Sequence, residues 1–274
     1  MSTQTEASGP LGRVRRQFRR VELRTRMQYF KPIVGLLLVW ELIRQLDLVP
    51  RQALPHTYEV AETFVSLVRS GELVNAAALT TYRALLALGI ATVVGISIGL
   101  AMSRYRPVEW FFDPIVSILF PMPKVIFVPV FLLWFGFGTR GIVLLAATSA
   151  VFPVIIATYE GARSVERELI WSARSMGMSR LRSTWNVVMP ASLPSIFNGL
   201  NIALFSSIIV TLISEMLTSA GGLGQLLIRS LRFFRTSEVL SAVIAAVILG
   251  LVMNTLFSTL RAHLLEWSDE TADW

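Results

Sequence analysis

Ser97 lies in Gly95-Ile96-Ser97-Ile98-Gly99, which satisfies the G-x-S-x-G spacing of a serine nucleophile. A hydrolase built on it needs a base beside the serine. The two histidines, His56 and His263, fall outside the apolar run around residue 97 and near its opposite ends, so the reading lacks its second component. Gly95 and Gly99 instead form a small-xxx-small surface on which another helix packs closely. Nucleotide chemistry is excluded in the same way. The two lysines, Lys31 and Lys124, follow no Gly-rich loop, so the chain has no phosphate cradle of its own. With no cysteine there is no disulfide and no thiolate metal site. We therefore expect no catalytic residue, no metal and no cofactor.

The groups left are charges and amides inside apolar segments, where ionisable residues are costly and mark function or tight pairing. Lys124 stands among Pro121, Pro123 and Pro129, where a span must bend and expose carbonyls. Its ammonium either faces an anion in a path or pairs with a carbonyl or carboxylate at a helix contact. Glu215 closes another apolar run that also carries Asn201 and Thr211. Those two are candidate polar lining, with interhelical hydrogen bonding as the alternative. Glu215 repels an anion, which favours a structural or gating role for it.

These residues must be positioned by membrane-spanning helices. A chain of 274 residues that is 54% hydrophobic and 16% charged is too apolar for a soluble domain of this size. The fold class expected is all-α, a polytopic membrane protein of about six transmembrane helices. Residues 1–31 are a basic cytoplasmic segment, held there by anionic lipid. Residues 32–262 form the transmembrane domain, and 263–274 a cytoplasmic tail. The spans are read at 32–48, 80–103, 111–135, 141–159, 196–217 and 239–260, the first weakened by Glu41 and Arg44. Residues 50–75 are read as an amphipathic interfacial helix.

Six spans put both termini on one side. The N-terminal arginines, Arg104, Arg106, the arginines of 163–182 and Arg261 then fall in the cytoplasm. Arg51, Arg69, Arg140, Arg229, Arg232 and Arg235 fall outside, and the bias supports cytoplasmic termini. The net charge of +7 is thus a topology signal and implies no nucleic-acid partner. Residues 218–225, Gly-rich and irregular, are read as an external gate or rim beside a path, with a plain external loop as the alternative.

The longest polar island, 163–190, carries the sharpest pattern. Glu166, Glu168, Arg174, Arg180 and Arg182 alternate with Leu169, Ile170, Ala173, Met176 and Leu181. This spacing predicts an amphipathic helix, a turn at Gly177-Met178-Ser179 and a second short helix. A loop that only joins two spans needs no such construction. The island resembles the EAA loop of ATP-binding-cassette (ABC) importer permeases, E-A-A, three residues, G, nine residues, I-x-L-P. The positions fall on Trp171-Ser172-Ala173, Gly177, Val187, Met189 and Pro190. Trp171 stands where the family has Glu, and Glu168, one turn earlier, is the carboxylate left for that role.

The resemblance widens along the chain through Leu54-Pro55, Asp113-Pro114, Pro121-Met122-Pro123-Lys124, Pro129 with Leu133-Trp134-Phe135-Gly136, Phe152-Pro153, Ser214-Glu215-Met216 and Gly221-Gly222-Leu223-Gly224. These are similar to the nitrate, sulfonate, taurine and bicarbonate branch of importer permeases. The resemblance implies a permease homodimer in a cell membrane, ATP-binding cassette subunits that dock the loop through Glu168, Leu169, Ala173, Arg174, Met176, Gly177 and Pro190, and an external substrate-binding protein. Lys124, Asn201, Thr211 and Glu215 are the residues expected along the path. The competing reading is a stand-alone secondary transporter, which wants ionisable groups spaced along its path and an internal repeat.

Overall fold

A computed structural model describes residues 31–32, 34–46, 49–50 and 53–266. The basic segment expected at 1–31, apart from Lys31, and most of the tail expected at 263–274 therefore lie outside the described residues. Described regular structure is helical: α1 (34–45), α2 (Thr57–Arg69), α3 (Glu72–Arg104), α4 (Arg106–Leu119), a 3-10 turn (Lys124–Phe127), α5 (Val128–Phe135), α6 (Thr139–Ser164), α7 (Arg167–Ser175), α8 (Arg180–Ser183), a π-helical turn (Thr184–Val188), α9 (Met189–Leu217), α10 (Leu223–Arg232) and α11 (Thr236–Leu264).

Clustering of backbone contacts separates residues 1–62 from 63–274. In the first unit, Glu41 of α1 serves the start of α2. His56 Nδ1 lies 2.8 Å from its carboxylate and Thr57 Oγ1 donates to it at 3.1 Å. The backbone N–H of His56 donates to Glu59 Oε2 at 3.2 Å, so the first turn of α2 is capped from both sides. The described stretch 34–45 is shorter than the roughly 20 residues a crossing needs.

In the second unit, Glu72–Arg104, Thr139–Ser164, Arg180–Leu217 and Thr236–Leu264 are long and apolar enough to span a membrane. The expected span 111–135 is not straight. Pro121 and Pro123 interrupt it, and α4 meets the Lys124–Phe135 segment at 93°, so the pair is a broken span or a re-entrant loop. The amphipathic segment expected over 50–75 ends at Arg69, and the next span starts at Glu72 instead of Thr80.

Helices α3, α6 and α9 form the centre of this unit because small residues let their backbones meet. A methyl group on Gly95 would come within 2.6 Å of Val154, one on Gly99 within 2.7 Å of Thr158, and one on Gly161 within 2.6 Å of Ser195. Ala87, Ala91, Ala146, Ala150 and Ala203 are fully buried among them. Association in lipid has no hydrophobic drive, so close backbone approach and dispersion must supply it. Ser97 Oγ donates to the Val93 carbonyl on the exposed face of α3, as a helix-internal hydroxyl does.

Candidate functional site: the α7–α8 loop, the α6 groove and the Arg83–Glu215 clamp

The chain leaves α6 at Ser164. Val165 is buried with Leu100, Ala162 and Val188, and Ile170 and Met189 pack on them. That seat fixes which face of α7 looks outward. Ala173, 2% exposed, and Ile170 turn toward the chain's own core. Leu169, Trp171, Met176 and Leu181 stand out, Met176 at 72% exposed. The sequence stripe is thus two surfaces, and Ala173 belongs to the inner one. Glu168 in the first turn and Arg174 in the last complement the helix dipole.

Gly177 ends α7 with φ 82°. Met178 N–H donates to Ala173 O at 3.1 Å and Gly177 N–H to Arg174 O at 2.9 Å, the paired bonds of a Schellman cap. Ser179 then caps α8, its Oγ accepting from Arg182 N–H at 3.4 Å. The expected helix, turn and second helix are therefore present. The second helix does not stop at the prolines, however. It continues through the π turn into α9, so Pro190 and Pro194 lie inside the span's first turns. Pro190 is tolerated there because the π turn has already shifted the backbone bonding, Met189 N–H donating to Thr184 O five residues back, so the regular ladder is interrupted where the proline lacks its donor.

Beside the loop end of α6 two cavities of about 420 and 400 Å³ share Phe120, Ile156 and Glu160. The first is completed from α4 by Asp113, Val116 and Ser117, the second from α9 by Ser195, Asn198, Gly199 and Ile202. Asp113 and Glu160 are the charged residues on their walls. Next to them Glu109, Tyr159 and Arg163 are linked, with Arg163 Nη1 donating to Glu109 Oε1 at 3.0 Å.

None of the four residues expected along a path lines either cavity. Lys124 is nearest, its ammonium donating to the Phe120 carbonyl and lying 5.1 and 5.5 Å from the Phe152 and Phe120 ring centres. Asn201 Nδ2 donates to Asn254 Oδ1 of α11 at 3.5 Å, a helix contact. Thr211 and Glu215 are fully buried, and a second subunit can only bury them further, so in this conformation neither offers a polar surface.

Glu215 has a different occupation, with a partner that the sequence pattern left without a role. Arg83, 1% exposed in the N-terminal half of α3, donates through Nη1 to Glu215 Oε1 at 2.7 Å. Its other donors go to Gly221 O at 3.0 Å, Ala220 O at 2.6 Å, and twice to Thr139 Oγ1 at 3.2 Å. Every N–H of the guanidinium is used. Glu215 Oε2 accepts from Thr80 Oγ1 at 2.8 Å and Gly224 N–H at 3.1 Å, and Thr80 Oγ1 accepts from Leu223 N–H at 3.0 Å. A Cβ at Gly222 would overlap the Glu215 carboxylate, and one at Gly224 the Leu212 carbonyl, so both positions require glycine. The arginines expected to sit on the outer side are partly neutralised here, Arg229 by Glu72 and Arg235 by Glu238 at 3.1 Å.

The chain is similar to known proteins along most of its length. Residues 91–267 match the binding-protein-dependent transport system inner membrane component. A Bacillus subtilis (strain 168) protein assigned to aliphatic sulfonates transport as the permease SsuC is 30% identical over 229 residues, 84% of this chain and 83% of that one. The taurine transport system permease protein TauC of Escherichia coli (strain K12) is 29% identical over 240 residues, 86% and 87% of the two chains. A chain of the MetNI methionine ABC transporter, solved in inward-facing conformations, superposes with a TM-score of 0.65 over 72% of this chain and 97% of its own at 18% identity, a likeness of fold. This chain belongs to the binding-protein-dependent transport system inner membrane component family, as a membrane-embedded permease subunit of an ABC importer whose ATP is hydrolysed by a separate subunit.

Proposed function

We propose that two copies of this permease form a translocation path across the cell membrane, that both termini and 163–190 are cytoplasmic, and that an external binding protein delivers the cargo at the end where α9 meets α10. The observation that carries this reading is the outward apolar face of α7 and α8, Leu169, Trp171, Met176 and Leu181, held on a capped turn between two packed spans. An ATPase cleft is its natural cover, with Glu168 and Arg174 at the rim, Gly177 and Pro190 setting the loop's shape, and Ala173 seating it from inside. Closure of the ATPases draws two such loops together, and because α8 runs through the π turn into α9, the pull reaches the helix that walls the groove.

The cargo is a small anion of the sulfonate, taurine or bicarbonate type. The support is the company the chain keeps: SsuC, TauC, and the bicarbonate transport permease CmpB of Synechococcus elongatus (strain ATCC 33912 / PCC 7942 / FACHB-805), 32% identical over 130 residues, 47% of each chain. Lys124 is the cation we propose to meet such an anion, at the bend beside a groove whose charged wall residues are Asp113 and Glu160. The segment 1–31, the transmembrane domain 32–262 and the tail 263–274 remain the proposed division, with lipid around the outer faces. In proteoliposomes holding the permease, its ATPase and its binding protein, ATP should drive uptake. Lys124→Met should lower that uptake while the complex stays assembled. Unchanged uptake in this variant would remove Lys124 from the path.

A further inference from the structure

We infer that the Arg83–Glu215 pair is a clamp that keeps the segment between α9 and α10 closed throughout the transport cycle, so that the outer end of the path opens by movement between permease copies and not by lifting of this loop. The inference rests on the permease reading for the word outer, and on geometry for the rest.

Residues 218–222 have no regular secondary structure, yet they join a membrane-spanning helix to the apolar face of α10. Irregular backbone beside a bilayer persists only where protein satisfies its polar groups. Arg83 does this for the Ala220 and Gly221 carbonyls, and Thr80 and Glu215 do it for the Leu223 and Gly224 N–H groups. The same side chains tie α3 to Thr139 at the start of α6 and to the end of α9. Lifting the loop would strip the Ala220, Gly221, Leu223 and Gly224 bonds together and leave the Arg83–Glu215 pair with only each other and the hydroxyls of Thr139 and Thr80, a poorly satisfied buried ion pair that is strongly disfavoured. At Gly222 and Gly224 the loop backbone is pressed against the Glu215 side chain and the Leu212 carbonyl, with no room for a Cβ. Helices α3, α6, α9 and α10 are thereby one body at this end.

Thr218 offers a probe. It is 5% exposed, its hydroxyl has no hydrogen-bond partner among the described residues, and the chain has no native cysteine. Thr218→Cys is to be reacted with a membrane-impermeant maleimide in the full complex with its ATPase, at rest and trapped with ATP and vanadate. Labelling should be slow in both states. Adding Glu215→Gln, which leaves the guanidinium without its counter-charge, should speed labelling by about tenfold or more. Thr139→Val removes only one acceptor and should speed it less, and it decides the matter if Glu215→Gln does not fold. The clamp is overturned if Thr218→Cys alone becomes reactive in the trapped state, or if the folded variants stay as protected as the parent. Co-purification of the ATPase and its hydrolysis rate, read on the same samples, report separately on the permease reading.

Discussion

Gly177 shows how one residue sets the shape of a proposed transmission loop. Its φ of 82° is reached without strain by glycine, whereas an L side chain there costs about 1–2 kcal/mol. Nothing lies within 4 Å of a Cβ built on it, so the penalty is conformational and not steric. Gly177→Val is therefore expected to loosen the cap and reduce binding-protein-stimulated ATP hydrolysis, with the permease still inserted. Gly177→Asn, which tolerates the left-handed region, should lose much less, and equal losses would argue against a backbone cause. This requirement was legible from the sequence because a C-terminal cap is local, spanning six residues. Arg83 was not legible. Its partner is 132 positions away, and no periodicity in one segment points to a carboxylate in another. The repeated Gly221-Gly222-Leu223-Gly224 was the available signal, since glycines that dense imply a backbone pressed against something.

At the scale of elements, the spans were found by length and apolarity, while their ends and breaks were not. Breaks depend on tertiary support: Pro190 continues a helix begun before it, whereas Pro121 and Pro123 end one. The packing of α3 on α6 follows from the Gly95 and Gly99 spacing and separates two readings of that motif. Gly99→Leu forces side-chain carbons toward Thr158 and the Ile155 carbonyl, and overpacking of this kind costs about 1–3 kcal/mol. A lower thermal midpoint in detergent is expected. Ser97→Ala should change neither stability nor transport, since the hydroxyl only bonds within its own helix. An activity lost with Ser97 would restore the nucleophile.

For the whole molecule, the proposed orientation places the α7–α8 turn and the α9–α10 loop on opposite sides of the membrane. Ser179 and Ser219 are both exposed, and the chain offers no competing thiol. In intact cells a membrane-impermeant maleimide should label Ser219→Cys and spare Ser179→Cys until the membrane is opened. The reverse pattern would invert the topology and with it the assignment of the loop to an ATPase. Charge bias favours this orientation, with Arg229, Arg232 and Arg235 as the discordant cluster on the proposed outer side, where Arg229 pairs with Glu72 and Arg235 with Glu238.

The most direct test of the account concerns the exposed apolar face of α7. Burying one medium-sized apolar side chain contributes roughly 1.5–3 kcal/mol, so Leu169→Asp combined with Met176→Asp should weaken ATPase association by at least about a hundredfold. Neither side chain supports the permease's own core. The measurement is co-purification of the ATPase with the permease, followed by binding-protein-stimulated ATP hydrolysis in proteoliposomes. The account predicts a folded, inserted permease that has lost its ATPase and all stimulated hydrolysis. Wild-type association and stimulation in the double variant would contradict it, because the loop would then not be the surface through which ATP drives transport.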